Sequence, residues 1–149
     1  MTVEMVFLTC ATLLGCVVAV SVVAWYATRP LSPARLLARL ARDLPDLQSE
    51  FFEAGVRSGK PRGKRWTGCD WGTEQVLARD KESREIVAFV NVALHLEPDA
   101  RRAEERTGSA VFFFHAGRWQ TVGKTLLNLR PNEVLARCGD QYEPLSEIG

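Results

Sequence analysis

The sequence predicts an α+β fold, with one N-terminal transmembrane helix and then a small domain in which an antiparallel sheet of about four strands packs with two or three helices. An uncharged segment covers residues 5–27, helical periodicity continues to residue 57, and period-two alternation follows. Of the 149 residues, 46% are hydrophobic and only 4 are cysteine, which excludes a disordered chain and a disulfide-rich scaffold.

The segment from Met5 to Ala27 contains no charged residue. As a helix rising about 1.5 Å per residue it is about 34 Å long, enough to cross a hydrocarbon core of about 30 Å. A cleaved signal peptide is the alternative, but Glu4 and the lack of Lys and Arg before the segment do not fit one. We therefore predict an uncleaved transmembrane helix that Trp25 and Tyr26 close at the membrane interface.

Positive charge is concentrated directly after this segment, whereas no Lys or Arg precedes it. The basic residues in question are Arg29, Arg35, Arg39 and Arg42. Basic flanks stay in the cytoplasm, so we predict a single-pass protein of the inner cell membrane with a cytoplasmic C-terminal domain. Cys69 and Cys138 are then expected to remain thiols in a reducing compartment.

Residues 28–45 are predicted to form a basic juxtamembrane helix. Ser32 and Pro33 are typical of a helix start, and Pro45 is expected to end the helix. Arginines occupy one face and leucines the other. Two interpretations fit this pattern, a contact with anionic lipid head groups and a solvated stem that only sets the topology.

Residues 46–149 are predicted to form the cytoplasmic α+β domain, with one helix ending near Arg57 and helices against one face of an antiparallel meander. The other predicted elements are the strands Gln75–Arg79, Glu85–Leu96, Ala110–His115 and Arg118–Leu129, a charged loop over Pro98–Ser109, and a final helix over Pro131–Arg137. One face of the second strand mixes apolar and polar residues from Val87 to His95, so we expect that face to be half covered.

Two segments that contain glycine and lysine resemble a phosphate-binding loop. Gly117–Thr125 has five residues between its glycines where such a loop needs four, and Gly55–Pro61 has three and ends in proline. The first segment also lies in a hairpin pattern instead of joining a strand to a helix. Nucleotide hydrolysis is therefore not expected.

A basic run extends from Arg57 to Arg65 with no acid in it, and Trp66 follows. With the arginines of the stem it forms the predicted anionic-surface site, which consists of Arg35, Arg39, Arg42, Arg57, Lys60, Arg62, Lys64 and Arg65. Anionic lipid is favoured over nucleic acid as the partner, because the predicted anchor keeps the run near the bilayer. For the run itself, an ordinary solvated loop beside a buried tryptophan is the favoured interpretation, and the anionic-surface contact is the functional alternative.

No catalytic or metal site is predicted from residue spacing. His95, His115 and the cysteines show no paired metal-ligand spacing, and Asp70 raises the pKa of the neighbouring Cys69 thiol instead of activating it. An enzyme would need Asp70, His95 and His115 to converge in a cleft beside the sheet. No cofactor, metal ion or small-molecule ligand is expected.

Six short motifs stand out after residue 57: Ser58–Gly63, Arg65-Trp66, Gly68–Trp71, Val111–His115, Gly117–Thr121 and Gln141–Pro144. In these motifs the chain resembles a group of small bacterial hypothetical proteins with one N-terminal span and no assigned function. The resemblance implies the same layout and supplies no catalytic residue, cofactor or partner.

The charge pattern thus predicts a membrane-anchored, non-enzymatic binding or scaffolding module at the cytoplasmic face of the membrane. Its expected partners are the lipid bilayer, anionic lipid head groups or another protein, and nucleic acid is not expected. The alternative is a small membrane-tethered enzyme that uses Asp70, His95 and His115.

Overall fold

The computed structural model describes residues 15–25, 31–98 and 103–145 of the chain. Residues 15–25 are helical and are called α1. The other elements are α2 (Pro33–Ser58), β1 (Lys64–Asp80), β2 (Ile86–Pro98), β3 (Glu104–His115), β4 (Arg118–Gln120), β5 (Thr125–Leu127), α3 (Pro131–Arg137) and β6 (Tyr142–Pro144). The chain divides into two compact units, Met1–Ser32 and Pro33–Gly149, and the sheet belongs to the second.

The predicted transmembrane helix over residues 5–27 is corrected by the structure. No helix within 15–25, 31–98 or 103–145 is both long enough and apolar enough to cross a membrane. Residues 5–14 and 26–27 of the predicted helix lie outside the described residues.

The second unit confirms the α+β class but not the predicted number of strands. The antiparallel sheet has six strands in the order β4-β3-β2-β1-β6, and β5 pairs with the same edge of β3 as β4. The predicted strand Arg118–Leu129 is interrupted at residues 121–124 and becomes β4 and β5. Strands as short as β5 and β6, of 3 residues each, show no alternation that a sequence pattern can detect.

The predicted helix end at Pro45 is wrong, because α2 runs through it without a break. An internal proline costs about 3 kcal/mol, since it removes one helical hydrogen bond and crowds the preceding turn. Burial on both sides of Pro45 offsets this cost, at roughly 1.5–3 kcal/mol for each large apolar side chain. The buried residues of α2 lie on one stripe and are Leu36, Leu40, Leu47, Phe51 and Gly55.

The buried stripe of α2 packs on one face of the sheet through aromatic rings. The Phe51 ring centroid lies 5.5 Å from that of Trp66, 5.2 Å from that of Trp71 and 5.9 Å from that of Phe112. Near the start of the helix, the Trp119 indole N–H donates a hydrogen bond to the Leu36 carbonyl oxygen at 3.3 Å. These contacts connect α2 to β1, β3 and β4.

The opposite face carries a second core under α3, so the predicted placement of helices on one face is wrong. That core consists of Ala78, Val87, Phe89, Val111, Val134 and Tyr142. Along the same face of β2, burial ends after Phe89, and Asn91, Ala93 and His95 are only partly buried. The expectation that this face is half covered is confirmed, because α3 is only 7 residues long.

Two strands are longer than the sequence pattern predicts. β1 begins at Lys64 and contains register shifts between Trp66 and Gly68 and between Trp71 and Gln75. A β-bulge adds one residue to a strand and interrupts period-two alternation, which hides the strand in the sequence. β3 begins at Glu104, so residues 104–109 of the predicted charged loop belong to a strand instead.

We expect Gly55→Ala to destabilise the protein. The new methyl carbon would lie 2.3 Å from the Trp66 ring, so helix or ring must move. Overpacking of this kind costs about 1–3 kcal/mol, whereas Gly→Ala at an exposed helical position gains up to about 1 kcal/mol. Urea unfolding of the full chain measures the change in the free energy of unfolding.

The control for this prediction is the same change in a Trp66→Leu background. Removal of the large ring should make Gly55→Ala neutral or stabilising there, because the helical propensity of alanine then acts alone. A stabilising effect of Gly55→Ala in the presence of Trp66 would contradict the prediction, because it would show that the Trp66 ring leaves room for a methyl group at residue 55.

We expect Asp80→Ala to loosen the β1–β2 turn in a pH-dependent way. Hydrogen bonds from the backbone N–H groups of Ser83 and Glu82, both 2.9 Å long, hold the pKa of the Asp80 carboxyl below its usual value. The stabilisation is therefore present above the unfolded pKa of about 3.9 and is lost as the pH falls through the folded pKa. Urea unfolding at neutral pH should show a loss of about 1 kcal/mol.

The matched control is Glu82→Ala, which removes an exposed carboxyl from the same turn. This variant should unfold like the wild type at every pH. If the difference between Asp80→Ala and wild type stays the same when the pH is lowered below the folded pKa of Asp80, the carboxylate is not the source of the stabilisation.

Candidate ligand-binding site

The structure divides the predicted anionic-surface residues between the two ends of α2. Arg35, Arg39 and Arg42 lie in its first turns, and Arg57 lies in its last turn. The other four residues follow the helix: Lys60 and Arg62 in the loop, Lys64 and Arg65 at the start of β1. Arg35 and Arg57 are about 33 Å apart along the helix axis, so the eight residues do not form one continuous surface.

Several of these cations already have partners. Arg65 pairs with Glu97 at 2.6 Å, Arg42 pairs with Asp43 at 2.8 Å, and Lys64 pairs with Glu104. Lys64 and Arg106 lower the pKa of the Glu104 carboxyl between them. By contrast, Lys60 and Arg62 form no ion pair within residues 15–25, 31–98 and 103–145.

A cavity of about 490 Å³ lies between the loop after α2 and the segment that joins β4 to β5. Its apolar wall includes Trp66, Leu94 and Leu127, and Lys60, Lys124 and Thr125 also line it. Lys124, like Lys60, is exposed and forms no ion pair with any described residue. The cavity thus combines an apolar interior with two ammonium groups that form no ion pair with any residue described by the structure.

The loop that carries Lys60 is fixed by hydrogen bonds at the end of α2. The Ser58 hydroxyl donates to the Gly55 carbonyl oxygen at 2.7 Å and accepts the Lys60 N–H at 3.4 Å. Gly59, with φ of 61°, makes the reversal at a positive φ that other residues rarely adopt. The Trp66 indole N–H then donates to the Lys60 carbonyl oxygen at 2.7 Å, which anchors the lysine backbone to the cavity wall.

The opposite side of the cavity is anchored in a similar way. Gly123 packs so close to α2 that a methyl group on it would lie 2.5 Å from the Gly55 nitrogen. The Lys124 carbonyl oxygen accepts a hydrogen bond from the Val111 N–H at 3.0 Å, which ties the segment to β3. Both lysine backbones are therefore held by the fold, while their side chains are exposed.

The two segments that resemble phosphate-binding loops in the sequence meet at this cavity. Ser58 and Lys60 come from the first segment, and Gly123, Lys124 and Thr125 from the second. Neither leads into a helix, since Lys60 precedes β1 and Lys124 precedes β5. They therefore lack the helix N-terminus on which a nucleotide-binding loop depends.

The structure brings together only two of the three residues named for the alternative function, a small enzyme. His95 Nε2 lies 2.7 Å from Asp70 Oδ2, whereas His115 Nδ1 lies 3.2 Å from Glu85 Oε1. His95 is paired with Glu105 in the sheet register, and His115 lies ten residues farther along β3, about 33 Å away. The Asp70 side chain is 78% exposed, so the pair lies on an open sheet face and not in a cleft.

Two further kinds of chemistry depend on histidine and cysteine side chains, namely metal binding and nucleophilic attack by a thiol. Within the described ranges, no group of three or more His, Cys, Asp or Glu side chains is placed to hold a metal ion. Burial, with a further contribution from Asp70, raises the pKa of the Cys69 thiol to about 11. Cys69 is therefore protonated at neutral pH and is a poor nucleophile.

Comparison with known proteins gives no assignment for this chain. No family model, curated protein or solved structure is similar to it. The resemblance to small bacterial hypothetical proteins remains a prediction, and the case for a function depends on the chain's own geometry.

We expect Cys69 to resist alkylation in the native protein. With a pKa of about 11, only on the order of one thiol in a thousand is ionised at pH 8, and the thiolate is the reactive form. Iodoacetamide treatment followed by peptide mass spectrometry should show little modification of Cys69 in buffer and full modification in urea. Rapid labelling of Cys69 in the native state would contradict the raised pKa.

Proposed function

We propose that this domain is a non-enzymatic binding module that holds an anionic group between Lys60 and Lys124. One observation carries the proposal: two glycine–lysine segments from distant parts of the sequence line the same cavity, and both ammonium groups are unpaired among the described residues. Of the eight basic residues predicted from the sequence to contact an anionic surface, only Lys60 belongs to this site, and Lys124 is not one of the eight. The inner-membrane location and the lipid or protein partners stay predictions.

The electrostatics of the site favour an anion in spite of the nearby helix end. The C-terminus of α2 carries about half a negative charge, which opposes an anion close to Ser58. Two full positive charges on Lys60 and Lys124 exceed that partial charge. Each exposed lysine contributes on the order of 1 kcal/mol to the binding of an anionic group.

An enzymatic function finds less support in the same residues. The Asp70–His95 pair is largely exposed, and His115 lies at the other end of the strands. General acid–base catalysis requires partners within hydrogen-bonding reach of a bound substrate. The cavity at the lysines contains none of these three residues in its lining.

We expect the full-length protein to bind inorganic phosphate saturably at this site. In an NMR titration, the backbone signals of Lys60 and Lys124 should shift together. The double variant Lys60→Ser, Lys124→Ser should weaken the affinity by about 25-fold, since each charge contributes roughly five-fold.

Arg42→Ser is the charge-matched control for the single variants Lys60→Ser and Lys124→Ser, because each removes one positive charge and Arg42 lies about 24 Å from the end of α2 along the helix axis. It should bind phosphate like the wild type. The proposal fails if no saturable shift occurs, or if Arg42→Ser weakens binding as much as loss of either lysine, which would indicate a diffuse effect of net charge.

A further inference from the structure

The interior of the cavity is apolar, although the groups at its rim are charged. Trp66, Leu94 and Leu127 line it, and its volume of about 490 Å³ lies within the range of about 300–1,000 Å³ found for small-molecule sites. An inorganic anion at the lysines would leave this space without a ligand contact. A matching ligand therefore has an apolar part as well as a charge.

The apolar wall is formed before any ligand arrives. The Trp66 side chain is held by its hydrogen bond to Lys60, by the close approach of Gly55 and by the Phe51 ring at 5.5 Å. Leu94 belongs to β2 and is almost completely buried. A rigid wall reduces the ordering cost of binding, so less of the free energy of the apolar contact is lost to ordering.

A buried hydroxyl in the same wall has no hydrogen-bond partner. Thr125 lines the cavity, and its Oγ1 is the one buried side-chain nitrogen or oxygen atom left unpaired in the part of the chain that the structure describes. An unpaired buried hydroxyl costs free energy, which a hydrogen bond to a ligand would recover. The hydroxyl oxygen is not accessible from the cavity in this structure, so a hydrogen bond to a ligand requires a change of the Thr125 side-chain rotamer.

We infer that the cavity binds a small amphipathic anion, namely a carboxylate or phosphate monoester that carries an alkyl or aryl group. The anionic group lies between Lys60 and Lys124 and accepts a hydrogen bond from Thr125, and the apolar group lies against Trp66, Leu94 and Leu127. This inference rests on the proposed function and adds the apolar half of the ligand.

A series of ligands with increasing alkyl chain length tests whether the cavity binds an apolar group. Alkyl phosphates and alkyl carboxylates of increasing length are titrated into the full-length protein by calorimetry, alongside inorganic phosphate. Each added CH₂ group should tighten binding by about four-fold until the cavity is full. Comparison of the alkyl phosphates with the alkyl carboxylates of the same length shows which anionic group the site prefers.

Three variants test the contributions of the apolar space, the rim of the cavity and the Thr125 hydroxyl separately. Leu127→Phe fills the cavity and should abolish the gain with chain length. Val122→Ser changes a rim residue that is 65% exposed, so folding is not at risk, and it should reduce the same gain. Thr125→Val should raise the stability of the unliganded protein and weaken binding of the anionic group by about five-fold.

The outcomes distinguish this inference from the proposed function. If inorganic phosphate binds but chain length has no effect, the amphipathic ligand is refuted and the anion-binding module stands. If neither phosphate nor any alkyl anion binds, both fail. Binding to phosphatidylglycerol vesicles without binding to monomeric alkyl anions would also overturn the inference, because it indicates a surface contact and an unused cavity.

Discussion

The absence of a side chain at Gly55 is the constraint on which the surroundings of the cavity depend. A methyl group there would lie 2.3 Å from the Trp66 ring, so only glycine allows the indole to pack directly on α2. The same indole contacts Phe51 and donates its N–H to the Lys60 carbonyl oxygen. Gly123 approaches the backbone of α2 at the same point. The helix α2, the loop that follows it and the segment that joins β4 to β5 therefore meet around Gly55.

Ion pairs determine which cations of this region are left for a ligand. At the start of β1, Arg65 pairs with Glu97 on the adjacent strand β2, and Lys64 pairs with Glu104 on β3, two strands away. The Arg65–Glu97 pair is exposed, and exposed pairs add little to stability, typically about 0–1 kcal/mol, so its main effect is to cancel local charge. The strands thus neutralise one end of the basic run, while Lys60 and Lys124 keep their charges beside an apolar space.

The sequence predicts elements whose signals are local and misses those that depend on distant partners. α3 occurs where Pro131 and Gly139 predict it, and the two faces of β2 follow from alternation. Pro45 is misleading because burial of Leu40 and Leu47 outweighs its local cost. The cavity shows no signal beyond two glycine–lysine pairs, since only the pairing of β5 with β3 brings Lys124 towards Lys60.

The bulges in β1 have a consequence for the behaviour of the protein at high concentration. β6 pairs only with Ala78–Asp80, which leaves most of the outer edge of β1 without a strand partner among the described residues. An open, regular edge is a template on which other chains aggregate. The irregularities after Trp66 and Trp71 interrupt the row of backbone donors and acceptors, and thereby protect the longest strand of the sheet from uncontrolled association.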